Sequence, residues 1–202
     1  MPLAIDDVLQ NAHDFNLCEP VTVDLRPAID ALFRELDEKK IDHVLVGGVA
    51  LLSYVAGRNT QDIDLIVRAD QLESIDWRAA VQDRDFGRAL YRGIRVDLLL
   101  RTNPLFAYVA EHERATVEFH GRSIPIATRR GLLLLKLYAL PSLYRSAQLA
   151  RAALYEADIR MLHQGAEIDD GELLRVLSAH LSSSDIAELS RILDDQRSVR
   201  RF

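Results

Sequence analysis

The sequence predicts an α+β chain: an α/β portion over 1–126 and a helical portion over 127–202. Three observations carry this reading. Apolar residues alternate at period two in several short runs before residue 126, the mark of half-buried strands. A Gly47-Gly48 pair interrupts an apolar run where a strand would turn into a helix. Beyond Thr128 the alternation disappears and apolar residues recur at helical spacing.

The elements follow in order. Ile29, Leu32, Phe33 and Leu36 lie on one helical face, and Pro27 suits a first turn, so a helix is expected over 28–36. Val44-Leu45-Val46 reads as a short strand, and small residues after Gly48 read as a helix through Ala56. Gly57-Arg58-Asn59-Thr60 is a turn. In the strand over 62–67, Ile63, Leu65 and Val67 share one face while Asp62 and Asp64 share the other. A hairpin is expected over 86–100 with its turn at Gly93. Its second strand places Ile94, Val96, Leu98 and Leu100 on one face, with Arg95, Asp97 and Leu99 opposite. Shorter strands are expected over 117–121 and 123–126. Helices are expected over 132–140, 146–162, 171–181 and 185–196, with Thr128 as a cap for the first and Ser184 for the last.

Composition narrows the class. Of 202 residues, 49% are hydrophobic and 28% charged, which excludes disorder, collagen-like repeats and a disulfide scaffold. One cysteine, Cys18, admits no intramolecular disulfide and suits a reducing compartment. The longest apolar stretch, 44–57, holds three glycines and is shorter than the roughly 20 residues of a membrane span. The opening residues carry Asp6 and Asp7 where a secretory signal would be basic. A cytoplasmic protein without membrane contact is expected. The net charge of −6 argues against indiscriminate nucleic-acid binding but leaves room for a local basic patch.

Asp62 and Asp64 carry the first chemical signal. At positions i and i+2 of a strand, two carboxylates stand side by side, roughly 6.5–7 Å apart. Such acids either line a solvated sheet face or, if covered, need a partner to offset the cost of burial. Hard divalent cations take oxygen ligands of this kind and leave positions open for phosphate oxygens. Asp97 offers a third carboxylate from a second strand, and three carboxylates on adjacent strands can hold two metals about 3.5–4 Å apart. The Gly-Gly amides open a helix, where backbone N–H groups can cradle a phosphate.

In that order and context, Val46-Gly47-Gly48-Val49-Ala50, Arg58-x-Thr60-x-Asp62-x-Asp64-Leu65 and Val96-Asp97-Leu98 resemble the signature of the DNA polymerase β-type nucleotidyltransferase superfamily. Within it the arrangement is similar to the AbiEii-type (MenT-like) nucleotidyltransferase toxins. The resemblance implies a polymerase β-type core with a mixed sheet, followed by a C-terminal helical bundle. It assigns Gly47 and Gly48 to the triphosphate, and Asp62, Asp64 and Asp97 to two Mg²⁺ ions, with Mn²⁺ as a substitute. Arg58 lies near enough in sequence to touch phosphate, and equally reads as a surface arginine in a turn.

The helical part extends the likeness. Leu134-Leu135-Lys136-Leu137-Tyr138-Ala139-Leu140 is similar to the toxins' Lys-Leu-x-Ala helix, whose lysine faces the nucleotide. Lys136 is the sole charge over 132–140, so it either snorkels to water or enters a cleft; the resemblance favours phosphate binding. Ala157-Asp158-Ile159 matches the end of the family's Lys-Asp-x-x-Asp-Ile segment, which makes Asp158 a candidate for orienting the acceptor. Leu154 and Tyr155 stand where that segment carries Lys and Asp. On the helix alone, Asp158 reads as a surface acid paired with a neighbouring base.

The expectation is a metal-dependent nucleotidyltransferase that moves NMP from an NTP to an acceptor and releases pyrophosphate. By resemblance the acceptor is RNA such as a tRNA 3′ end, or a protein hydroxyl, and the protein is a toxin with a cognate antitoxin partner. A small-molecule (aminoglycoside-like) nucleotidyltransferase and a catalytically silent nucleotide-binding or interaction module are the competing readings. The acidic balance favours a small substrate, the Lys136 helix favours the toxin, and the intact carboxylate trio disfavours the silent module.

Overall fold

The computed structural model describes residues 25–199, apart from 57–59, 61, 75–76 and 120. The chain divides into two compact units, Met1–Thr128 and Arg129–Phe202. Arg58 and Cys18 lie outside the described residues.

In the first unit, helix α1 (Leu25–Glu38) leads to β1 (His43–Val46), and Gly47 turns the chain into a short helix α2 (Gly47–Leu52). That helix stops four residues before the expected end at Ala56, because Ser53 and Tyr54 close it with turn hydrogen bonds to Ala50 and Leu51. Strand β2 (Ile63–Val67) is followed by a 3₁₀ segment, Ala69–Ser74, and by β3 (Arg78–Gln82). The strands β4 (Phe86–Tyr91) and β5 (Ile94–Leu100) form the expected hairpin. Its two-residue turn has positive φ at both Arg92 (48°) and Gly93 (87°), the left-handed geometry that matches strand twist. Helix α3 (Pro104–His112) and the hairpin β6 (Arg114–Phe119) and β7 (Arg122–Ala127) complete the unit.

Among the described residues, seven strands join one sheet in the order β3-β4-β5-β2-β1-β7-β6. The sheet is mixed: β2 runs parallel to β5 and β1 parallel to β7, while the other neighbours are antiparallel. Central β1 is buried at every position, which is why it reads as a continuous apolar run rather than an alternation. The expected faces of β5 hold, with Ile94, Val96, Leu98 and Leu100 buried and Arg95 exposed. Leu32, Phe33, Leu36, Leu65, Val96 and Phe119 belong to the core. Two links span distant segments: the Tyr54 hydroxyl donates to the Ala127 carbonyl at 2.9 Å, and the Trp77 indole donates to Glu35 at 3.2 Å.

Apolar periodicity in the sequence marks neither β3 nor α3. Edge strand β3 offers no apolar alternation and has an irregular register between Ala79 and Val81. For α3 a local signal existed: Asn103 caps Leu105 and Phe106, with Pro104 at the first helical position.

The second unit is helical: α4 (Arg129–Arg145), α5 (Leu149–His163), α6 (Asp170–Leu177) and α7 (Ser183–Val199). The α4 helix packs against the other three and buries Leu132, Leu133, Leu134, Leu137 and Leu140. Facing apolar positions are Ile159 and Leu162 of α5, Leu173 and Leu177 of α6, and Leu189 and Leu193 of α7. The cap of α7 is Ser182, not Ser184: its hydroxyl accepts from the Asp185 amide and donates to the Asp185 carboxylate. Among the described residues, no helix is long and apolar enough to cross a membrane.

Candidate active site

Each glycine of the pair makes room for a particular side chain. Gly47 has φ +65°, and a Cβ there would lie 1.9 Å from Asp64 Oδ2. A Cβ on Gly48 would lie 2.4 Å from Thr60 Oγ1. The turn after β1 therefore lets the Asp-x-Asp segment come down onto the backbone, consistent with Asp64 lying opposite Val46 across the β1–β2 ladder. Gly47 thus abuts Asp64, an expected metal ligand, while Gly48 abuts Thr60, two residues before Asp62.

The parallel register of β2 and β5 sets Asp64 directly beside Asp97. Asp62 precedes β2 by one residue and lies on the same side as Asp64 by strand alternation. All three are partly exposed, in a sheet whose opposite face is filled by Ile63, Leu65, Val96 and Leu98. The acids thus gather on one face, from two strands that are neighbours only because β5 inserts beside β2.

Two arginines on that face enter the cluster, and neither was assigned a role from sequence. Arg88 stands opposite Asp97 in the β4–β5 ladder and donates from Nε to Asp97 Oδ1 at 2.7 Å. The pairing raises the Arg88 guanidinium above its ordinary value. Arg95, two residues before Asp97 on β5, donates to Asp62 Oδ2, and its Nε lies 3.7 Å from Asp97 Oδ2. The period-two pattern placed Arg95 on the Asp97 side, but the identity of its partner depends on strand order.

Among the described residues, no group of three His, Cys, Asp or Glu side chains is gathered as a metal-ligand set. The donor chemistry nonetheless fits a hard divalent cation: carboxylates from two adjacent strands, bonded to guanidinium groups that stand in for positive charge.

Lys136 and Asp158, both in the helical unit, are brought together. Lys136 Nζ lies 2.9 Å from Asp158 Oδ2 and 3.9 Å from the centroid of the Tyr155 ring. Lys136 is buried, its side chain 10% exposed, so it does not snorkel; Asp158, at 1%, is not a helix-surface acid. Tyr155, where the family segment carries Asp, gives the ammonium an aromatic face instead.

Among solved structures, an antigenic nucleotidyltransferase-like protein from Paracoccidioides brasiliensis superposes with a TM-score of 0.57 at 18% identity, covering 98% of this chain and 92% of that one. The fold is nucleotidyltransferase-like. ANT(2")-Ia, in a complex with adenylyl-2"-tobramycin, superposes with a TM-score of 0.50 at 13% identity, covering 88% of this chain and 99% of that one. No protein-family model matches the chain, and no curated protein matches it in sequence.

Proposed function

We propose that the protein is a divalent-metal-dependent nucleotidyltransferase, moving NMP from an NTP to an acceptor hydroxyl with release of pyrophosphate. The observation that carries this reading is the juxtaposition of Asp64 and Asp97 on parallel neighbours β2 and β5, beneath a glycine turn shaped around the Asp64 carboxylate. Asp62, Asp64 and Asp97 would hold the metal, which when bound neutralises charge on the transferring phosphoryl group and the leaving pyrophosphate. Gly47 and Gly48 keep the turn's backbone close to that point, where its amides can meet phosphate oxygens. Arg58 is assigned to phosphate by its place in the motif. In the helical unit, Lys136 is assigned to the nucleotide and Asp158 to the acceptor.

For the acceptor, the Lys136 helix and its likeness to the AbiEii-type toxins support RNA, with a toxin role and an antitoxin partner. The fold shared with ANT(2")-Ia, solved with adenylyl-2"-tobramycin, supports a small-molecule acceptor as the second reading.

Incubation with each labelled NTP, Mg²⁺ and either total RNA or a panel of aminoglycosides tests both. Label should pass to RNA, and Asp64→Ala should lower transfer by about a hundredfold or more, because a metal ligand is lost. Expression of the wild type should slow bacterial growth, and Asp64→Ala should not. Labelled aminoglycosides with unlabelled RNA would establish the second reading. Equal transfer by wild type and Asp64→Ala would overturn the site.

A further inference from the structure

Among the described residues, the carboxylates of Asp62, Asp64 and Asp97 share one face of the first unit's sheet with the guanidiniums of Arg88 and Arg95, and these five groups together carry one net negative charge. Arg95 is central to the arrangement. Its guanidinium reaches Asp62, just ahead of β2, and Asp97 on β5, so it straddles two of the three acids assigned to the metal. Arg88 holds the third contact, on Asp97. Arg95 is 46% exposed and Arg88 54%, so neither is locked in the core, and each can swing on a flexible stem.

A divalent cation entering among these carboxylates competes directly with the guanidiniums for the same oxygens. With one or two such cations bound, the cluster carries net positive charge and the guanidiniums are repelled from it. They stay tethered within a side chain's length, in a place now suited to a polyanion. Guanidinium, with five donors in a planar fork, matches phosphate oxygens bidentately as well as carboxylates.

We propose that Arg95, supported by Arg88, is an internal counter-cation that holds the carboxylate cluster until metal enters, and then transfers its hydrogen bonds to the phosphates of the incoming nucleotide. This rests on the nucleotidyltransferase reading above. Arg95 is thereby a phosphate-binding residue as well as a brake on metal binding without nucleotide. It couples the two ligands: metal frees the guanidinium, and the freed guanidinium favours the triphosphate.

The consequence is a pair of opposite effects that a merely structural arginine would not produce. Arg95→Gln should bind Mn²⁺, titrated without nucleotide and followed by the free-ion EPR signal, about fivefold more tightly than wild type, the size expected for removing a partly exposed competing ion pair. The same variant should raise KM for the NTP about tenfold or more, and Arg95→Lys should recover only part of that loss because ammonium cannot bind in a fork. Arg88→Gln should shift Mn²⁺ affinity in the same direction. A thermal melt for each variant shows that the fold is retained. Asp64→Ala serves as the control: if wild type and Asp64→Ala bind Mn²⁺ equally, the metal-centre reading falls and this inference with it. If Mn²⁺ binding requires Asp64 but Arg95→Gln binds it no more tightly than wild type, the inference alone is overturned. Tighter Mn²⁺ binding with an unchanged KM would overturn the phosphate role.

Discussion

Gly47 combines two demands that no other residue meets. Its φ of +65° strains any side chain, and a Cβ would strike the Asp64 carboxylate at 1.9 Å and Asp64 Cβ at 2.7 Å. Gly47→Ala should therefore cost about 1–3 kcal/mol from the backbone conformation, with a further loss from the displaced strand. Removing the carboxylate should not rescue it, since Asp64→Ala keeps the Cβ atom that collides. Urea melts of Gly47→Ala, Asp64→Ala and the double variant measure this; full recovery of stability in the double variant would refute it. The glycine pair was legible in sequence as a turn, but its reason was not. The sequence suggested amides aimed at phosphate, while the structure adds that Gly47 is needed for the close approach of Asp64.

The packed helices α4 and α5 bring Lys136 and Asp158 together as a buried pair, on helices that also bury Leu137, Leu140, Ile159 and Leu162. Taking one partner away leaves the other charge buried at a cost of about 3–5 kcal/mol, whereas replacing both by apolar residues is often neutral. Lys136→Met should lower the melting temperature sharply, and Lys136→Met with Asp158→Leu should recover most of it. If the pair serves the nucleotide and acceptor, the double variant should stay poor in NTP turnover despite its restored stability. Wild-type kcat/KM in that variant would leave the pair a structural feature only. At this scale the sequence located the α4 and α5 helices and flagged Lys136 and Asp158 singly. It could not pair them, because which faces of two helices meet is set by their packing. The cap of α7 at Ser182 instead of Ser184 shows the same limit in miniature: three consecutive serines offer equal chemistry, and the reach to Asp185 selects among them.

Within the first unit, Asp42 ties distant segments together. It follows α1, and its carboxylate meets Arg101, just past β5, at 2.7 Å and Arg114, at the start of β6, at 3.1 Å. Burial pushes this carboxyl up, but the hydrogen bonds and charges of Arg101 and Arg114 outweigh that and hold it below the usual carboxylate range. A carboxyl depressed in the folded state contributes stability above its unfolded value of about 3.9, and that contribution is lost as pH falls through the folded value. Asp42→Asn should therefore destabilise by about 1 kcal/mol at pH 7, the partial exposure screening the pairs. The difference from wild type should shrink as pH drops below about 4. Denaturant midpoints at pH 7 and pH 3 check it, and a difference independent of pH would refute it.

The sequence by itself determined the fold class, the faces of β2 and β5, the hairpin, and the change to helices after Thr128. Those features rest on patterns that repeat every two or every 3.6 residues and on turn chemistry, all local in the chain. Only the tertiary structure decided that β5 lies beside β2, that Arg95 bridges Asp62 and Asp97, and that Lys136 meets Asp158. Such partners stand far apart in sequence: Arg95 is 33 residues from Asp62. What joins them is strand order, register and helix packing, which the whole chain selects by burying its apolar faces together, and which no local pattern encodes.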